Sequence, residues 1–161
     1  MMIRQVHPED ATAIADIYNH YVLETTVSFE TSPLSVEAMR ARIQQVAAAY
    51  PFLVWEEDGH VLGYAYAHQW KERAAYAHTW ESTIYLHPAQ SGRGMGRRLM
   101  QGLIPLCRVA GCRCIIACVT QENEASCAFH RALGFVQVSR FPKVGYKLGR
   151  WLDVVDFHLA L

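Results

Sequence analysis

Residues 52–87 carry three β-type runs in succession with no helix between them, and beyond residue 88 helical and β-type runs alternate. The three runs are Phe52 to Glu56, Val61 to Gln69 and about Thr79 to His87, and the first two are joined by a turn containing Asp58-Gly59, a strong hairpin signal. Consecutive strands joined by short turns pair antiparallel, whereas a strand–helix–strand crossover joins parallel strands. A chain holding both patterns must build a mixed sheet with helices on its faces, which is an α+β domain and not a doubly wound one.

The flanking segments complete the order βααβββαβαββ. A short strand at Ile3 to Val6 precedes a helix with Pro8 at its first turn and Ile14, Ile17, Tyr18, Tyr21 and Val22 at helical spacing. Ser35 can cap a second helix, with Val36, Met39, Ile43, Val46, Ala47 and Tyr50 on its apolar face, ending before Pro51. A third helix carries Leu99, Leu103, Leu106 and Ala110 and closes at Gly111, with a kink expected at Pro105. A strand at Arg113 to Val119, a helix from Asn123 to Leu133 ended by Gly134, and strands at Phe135 to Arg140 and Leu152 to Leu159 follow; residues 31–35 and 140–150 read as extended loop.

With 161 residues, 52% of them hydrophobic, the chain suffices for one domain over residues 1–161 and not for two. No apolar stretch reaches the roughly 18 residues of a membrane span, and the start lacks a long apolar leader, so a soluble, cytoplasmic protein without a membrane partner is expected. Fifteen basic residues balance fifteen acidic ones, which disfavours a general polyanion binder. The balance hides an asymmetry, because residues 93–150 hold ten basic and two acidic side chains, leaving the remainder at −8. Either one half receives an anionic ligand or it is a solvated basic face. Stacking aromatics are not interleaved with those charges, so nucleic acid is not expected as a partner.

Cys107, Cys112, Cys114, Cys118 and Cys127 contain no paired C-x-x-C, and Cys112, Cys114 and Cys118 share one parity of a strand-like run. They read as small buried hydrophobes, with neither a structural disulfide nor a metal site expected. The histidines other than His130 show no ligand spacing and read as surface or core residues.

Ser91-Gly92-Arg93-Gly94-Met95-Gly96-Arg97-Arg98 lies between a strand and a helix, where unpaired backbone N–H groups and the helix dipole make an anion site. Alternate glycines let a phosphate approach the backbone, and the adjacent arginines favour that over a plain glycine-rich turn. The spacing fits neither the phosphate loop of an NTPase nor a dinucleotide fold, so ATP and NAD are poor candidates.

This segment resembles the pyrophosphate loop of the GNAT superfamily of N-acetyltransferases, with serine at the position usually held by glutamine or arginine. Asn123, Ser126, His130, Gly134 and Phe135 resemble that superfamily's next signature. Five further blocks resemble the phosphinothricin and methionine sulfoximine N-acetyltransferases: Ser28-Phe29-Glu30-Thr31 with Pro33, residues 70–76, residues 81–86, residues 130–135 and residues 145–154. The resemblance implies acetyl-CoA as co-substrate, no metal, a homodimer, and direct attack of a small amino-acid-like amine on the thioester in a ternary complex. It further implies that Ile84, Tyr85 and Leu86 hold the pantetheine arm and polarise the thioester, that Gly92 to Arg98 hold the pyrophosphate, and that Asn123 and Ser126 lie beside the cofactor.

The residue chemistry agrees. Glu81 interrupts a run that should be a buried strand, and burial raises a carboxyl pKa, which suits a general base; neutralisation by Arg73 for structure alone is the plainer account. His130 shares a helix face with Asn123 and Ser126 and can serve as acid, as base or as a structural residue. Arg73 can take the carboxylate of an amino acid, with Tyr76 and Phe29 walling the side-chain pocket. Two rivals stay open: acetylation of another amine (an aminoglycoside, a polyamine or a protein N-terminus), and a coenzyme-A-binding module without turnover, against which Glu81 speaks.

Overall fold

The computed structural model describes residues 1–90 and 92–161. Ser91, the first residue of the glycine loop, lies outside the described residues. Strands β1 (Met2–Gln5), β2 (Phe52–Glu57), β3 (His60–Gln69), β4 (Thr79–Leu86), β5 (Cys114–Thr120), β6 (Val136–Gln137), β7 (Phe141–Lys147) and β8 (Arg150–Ala160) form one mixed sheet. Its order is β1-β2-β3-β4-β5-β8-β6, with β7 also pairing β8. β4 and β5 are parallel and the other neighbours antiparallel, as the change of pattern after residue 87 requires.

Four α-helices are present among the described residues: α1 (Ala11–Glu24), α2 (Val36–Ala47), α3 (Met95–Val109) and α4 (Glu124–Ala132). None is long and apolar enough to cross a membrane. Caps set their starts. Ser35 Oγ accepts from the Ala38 N–H, and Asn123 Oδ1 from the Ser126 N–H, each satisfying a donor that has no partner within its helix.

Helices cover the two faces of the sheet unequally. Ile14, Ile17, Tyr18 and Val22 of α1 and Met39 and Ile43 of α2 pack with Phe52, Val54 and Tyr64. On the opposite face α3 and Cys127 of α4 pack with Ala65, Ala67, Trp80, Ile115, Ala117, Val119 and Phe157. Strand alternation then sends Glu81, Thr83 and Tyr85 of β4 to the α1/α2 side, and Trp80, Ser82 and Ile84 to the α3/α4 side.

Several expectations are corrected. Residues 140–150 are a β-hairpin and not an extended loop. Its turn, Leu148-Gly149, has φ of 51° and 77°, the left-handed pair of a tight two-residue turn. A register shift between Phe141 and Gly145 accompanies Lys143 at φ 53°. The strand expected at Phe135 to Arg140 shrinks to Val136–Gln137, because Ser139 Oγ donates to Asp156 Oδ2 and accepts from the Asp156 N–H, each at 3.0 Å. α2 stops at Ala47, and Tyr50 instead sets its ring edge-on to Trp80. α3 runs through Pro105, but its buried stripe passes to Cys107 and leaves Leu106 and Ala110 exposed.

Candidate active site

β4 and β5 pair only through Thr79, Trp80 and Glu81, whose partners are Cys114, Ile115 and Ile116. Beyond Glu81 the parallel strands part, and a cavity of about 540 Å³ opens through the sheet. The parting involves no bulge in β4: its register against β3 is regular from Gln69↔Trp80 to Gly63↔Leu86. Loss of pairing to β5, and not a bulge against β3, opens the sheet here.

The cavity is lined from both faces. From the α1/α2 side come Tyr18, Val27, Ser28, Phe29 and Glu30, with Glu81, Thr83, Tyr85, Cys118 and Thr120 from the strands; from the α3/α4 side come Asn123, Ser126 and His130. The sequence-predicted Glu81, Ile84, Tyr85, Asn123, Ser126, His130 and Phe29 thus meet in one place. Leu86 does not line it, and its carbonyl already accepts the Tyr21 hydroxyl at 2.6 Å.

Burial pushes the Glu81 carboxyl above its ordinary range, Asp156 adds to this, and His68 on the opposing strand pulls it down. No ion pair joins Glu81 to Arg73 among the described residues. His130 is 3% exposed, with its ring stacked on Phe157 and edge-on to Phe129 and Phe135. Its Nδ1 lies 2.8 Å from the Ser126 carbonyl oxygen. A carbonyl only accepts, so Nδ1 carries the proton and Nε2 keeps its lone pair; burial lowers the His130 pKa and favours this neutral form.

The N-terminal turn of α3 does not itself line the cavity but packs behind Ile84, which does. Gly94 caps the helix at φ 75° and Gly92 sits at φ 80°, both with open space where a Cβ would project. Their requirement for glycine is conformational. Gly96 differs: a Cβ there would lie 3.3 Å from Phe129 and 3.5 Å from Ile84, so glycine lets α3, α4 and β4 converge. Met95 is buried and Arg97 exposed at this helix start, while Arg93 pairs with Glu57 at 3.0 Å and Arg98 lies over the Trp55 ring.

Arg73 and Tyr76 lie elsewhere. With Lys71 and Glu72 they line a separate depression, where Tyr76 meets Trp70 edge-on and Lys71 covers the Trp70 ring at 4.2 Å.

Sequence reasoning missed part of the α1/α2 side of the site. Glu30 accepts from Arg42 at 2.8 Å; burial raises its pKa, but hydrogen bonds from Arg42 and Tyr18 outweigh this and hold it low. Lys147 is buried, donates to the Ser28 carbonyl at 2.6 Å and has its pKa lowered by that burial. Cys118 is not a core residue. It is open to the cavity, whose walls desolvate its thiol and, with Glu81 and Asp156 nearby, push its pKa up to about 12. The block at Ser28 to Thr31 and the lysine two residues beyond Gly145 were visible signals; that they meet was not.

Residues 3–155 match the family described as the acetyltransferase (GNAT) domain. The chain belongs to the GNAT acetyltransferase family. It is 39% identical to the L-amino acid N-acyltransferase MnaT of Escherichia coli strain K12, over 100% of this chain and 94% of the relative. It is 44% identical to a phosphinothricin N-acetyltransferase of Alcaligenes faecalis, over 95% and 79% of the two chains. Its fold superposes with a TM-score of 0.97 on an acetyltransferase of Salmonella typhimurium solved with its cofactor acetyl-CoA, at 37% identity over 100% of this chain and 94% of that one. This GNAT chain is therefore an N-acetyltransferase with the family's mixed sheet and four flanking helices.

Proposed function

We propose that the enzyme transfers acetyl from acetyl-CoA to the α-amine of a small amino-acid-like acceptor, of the phosphinothricin, methionine sulfoximine or methionine sulfone type, in a ternary complex. The observation that carries this reading is the cavity through the sheet just beyond Glu81. A passage that joins the two faces lets a thioester enter from the α3/α4 side and an amine from the α1/α2 side. The N-terminal turn of α3 suits the pyrophosphate, since its unpaired N–H groups and dipole favour an anion. Asn123 and Ser126 lie on the cofactor's side of the gap. Backbone groups of β4 at Ile84 and Tyr85, released from pairing with β5, are placed to bind pantetheine and stabilise the oxyanion.

Glu81 takes the ammonium proton, so that the neutral amine attacks the acetyl carbon, and the tetrahedral intermediate collapses to amide and thiolate. His130 acts as a hydrogen-bond acceptor at Nε2 and not as the proton donor, because its one N–H is committed to Ser126. Phe29 walls the acceptor pocket, and the ionised Glu30 supplies an anionic contact there. Arg73 has no part in this reading, since it lines a different depression.

The test is Glu81→Gln. It should keep the fold and the acetyl-CoA affinity while kcat falls by about 10²–10⁴, the loss typical of a general base. Partial recovery at alkaline pH should follow, because the acceptor amine is then already neutral. Near-normal turnover at neutral pH would refute the assignment.

A further inference from the structure

A base that works in every cycle must also lose its proton in every cycle. Burial raises the Glu81 pKa, so water alone draws the proton away less readily than from an exposed carboxylate. We propose that His68 is the relay that takes the proton from Glu81 after acetyl transfer and passes it to solvent. The inference rests on the reading of Glu81 as the base.

Geometry carries it. In the regular antiparallel ladder of β3 and β4, His68 stands directly opposite Glu81, on the α1/α2 side of the sheet. Cβ atoms of such opposed residues lie about 4.5–5.5 Å apart, within reach of their long side chains or of one bridging water. His68 Nδ1 lies 2.9 Å from the Gln69 carbonyl oxygen, which can only accept, so this nitrogen holds a proton and Nε2 is the one left to receive another. The ring rests beside Tyr66 at 5.9 Å, and the residue is only half-buried, so the far side of the relay is open to water.

The other titratable groups around Glu81 are poorer acceptors. Cys118 on β5 keeps its thiol proton, with a pKa pushed up to about 12. Tyr66 on β3 has its phenol pKa raised by burial, with Thr83 and Arg42 opposing and Glu81 and Glu30 adding to the rise. Asp156 on β8 is turned to the Ser139 hydroxyl, and β5 separates it from β4. An imidazole offers one nitrogen that donates and one that accepts, which suits a relay.

The protons balance. An acceptor N–H bond breaks and a Glu81 O–H bond forms; then that O–H breaks as His68 Nε2–H forms, and the imidazolium gives this proton to bulk water. The second amine proton, lost on collapse, goes to the departing thiolate. One proton per acetyl transfer reaches solvent, as ammonium plus thioester giving amide plus thiol requires.

The experiment compares His68→Gln and His68→Ala with the wild type at low buffer concentration, using methionine sulfone as acceptor. Expected is a fall in kcat of about tenfold, short of the loss of the base itself, with the KM for acetyl-CoA unchanged. The acid limb of kcat should move to higher pH, since His68 no longer favours the ionised carboxylate. Added imidazole should restore His68→Ala and leave the wild type unaffected. Wild-type kcat and pH profile in both variants would overturn the proposal, and so would a loss that imidazole does not restore, which would mark His68 as structural. Placed on Glu81→Gln, either substitution should cost nothing further. If Glu81→Gln itself turns over normally, the base assignment has failed, a result separate from failure of the relay.

Discussion

Gly145→Ala should damage acceptor binding from a position that no substrate touches. Gly145 of β7 lies under the Phe29 ring: a Cβ built there comes 2.7 Å from Phe29 Cζ and 3.2 Å from Cδ2, and closest to Cε2. Ordinary contact begins near 3.4 Å, so the ring edge must retreat by about 0.7 Å or more. Phe29 is 43% exposed and free to give way, which places the stability cost at the low end of the about 1–3 kcal/mol typical of overpacking. About 1 kcal/mol is expected, a fall in Tm of about 2–4 °C for a domain of this size. The functional cost should be larger, because Phe29 is a wall of the cavity and misplacement by about 1 Å near reacting atoms can cost up to about 10²-fold. The expected signature is about a tenfold loss in kcat/KM carried by the KM for the acceptor, with acetyl-CoA affinity unchanged. Gly102→Ala is the control: its Cβ meets Leu53 at 3.2 Å and Ile3 at 4.0 Å, away from Phe29, so it should leave the acceptor KM alone. An unchanged acceptor KM in folded Gly145→Ala protein would show that Phe29 does not shape the acceptor site.

Gly94→Val places a β-branched side chain at φ 75°, a conformation that costs an L-residue about 1–2 kcal/mol, and projects it into the open space before α3. Acetyl-CoA affinity measured by calorimetry should fall by about tenfold or more, a 1.4 kcal/mol step being tenfold; unchanged affinity would remove this loop from the cofactor site. Asp10 is buried; burial raises its pKa, but hydrogen bonds from Arg4 and the His7 N–H outweigh this and hold it below 3.8. A folded pKa below the unfolded one contributes stability that is present above about pH 4 and is lost as pH falls through the folded value. Asp10→Asn should therefore be less stable than wild type at pH 7 by about 2 kcal/mol, less than the about 3–5 kcal/mol of a fully broken buried pair because Glu56 still holds Arg4. Denaturant titrations should show the gap closing below pH 4.

The elements legible in the sequence were those whose signals are local. Ser35 and Asn123 announce helix starts, Asp58-Gly59 a hairpin, and Gly111 and Gly134 helix ends, with φ of 99° and 91°. The β7–β8 hairpin was missed because Leu148-Gly149 lacks the asparagine or aspartate that usually marks such a turn. Its strand also alternates unusually: Val144 and Tyr146 face solvent, while Gly145 and Lys147 are buried. A buried lysine reads as a surface residue until the carbonyls of Ser28 and Tyr21 that receive it are known.

The cysteines show where parity stops being informative. Alternation correctly assigns Cys114 and Cys118 to one face of β5, but it cannot say which face the helices cover. α3 and α4 cover the side of Ile115, Ala117 and Val119, so Cys118 is left on the cavity floor. The same limit applies to the site. Its cofactor side is compact in sequence, with the glycine turn, the α3 start and the α4 face all within residues 92–130, and each piece carries its own motif. The side proposed for the acceptor is assembled from residues 18, 28–30, 81 and 118, backed by Gly145 and Lys147 behind Phe29 and Ser28, and their approach depends on where β4 and β5 stop pairing and on how β7 folds back. On the proposed reading, substitutions that retune the acceptor should therefore be sought in the Phe29–Gly145–Lys147 region, which can shift without disturbing the backbone of β4 at Ile84 and Tyr85.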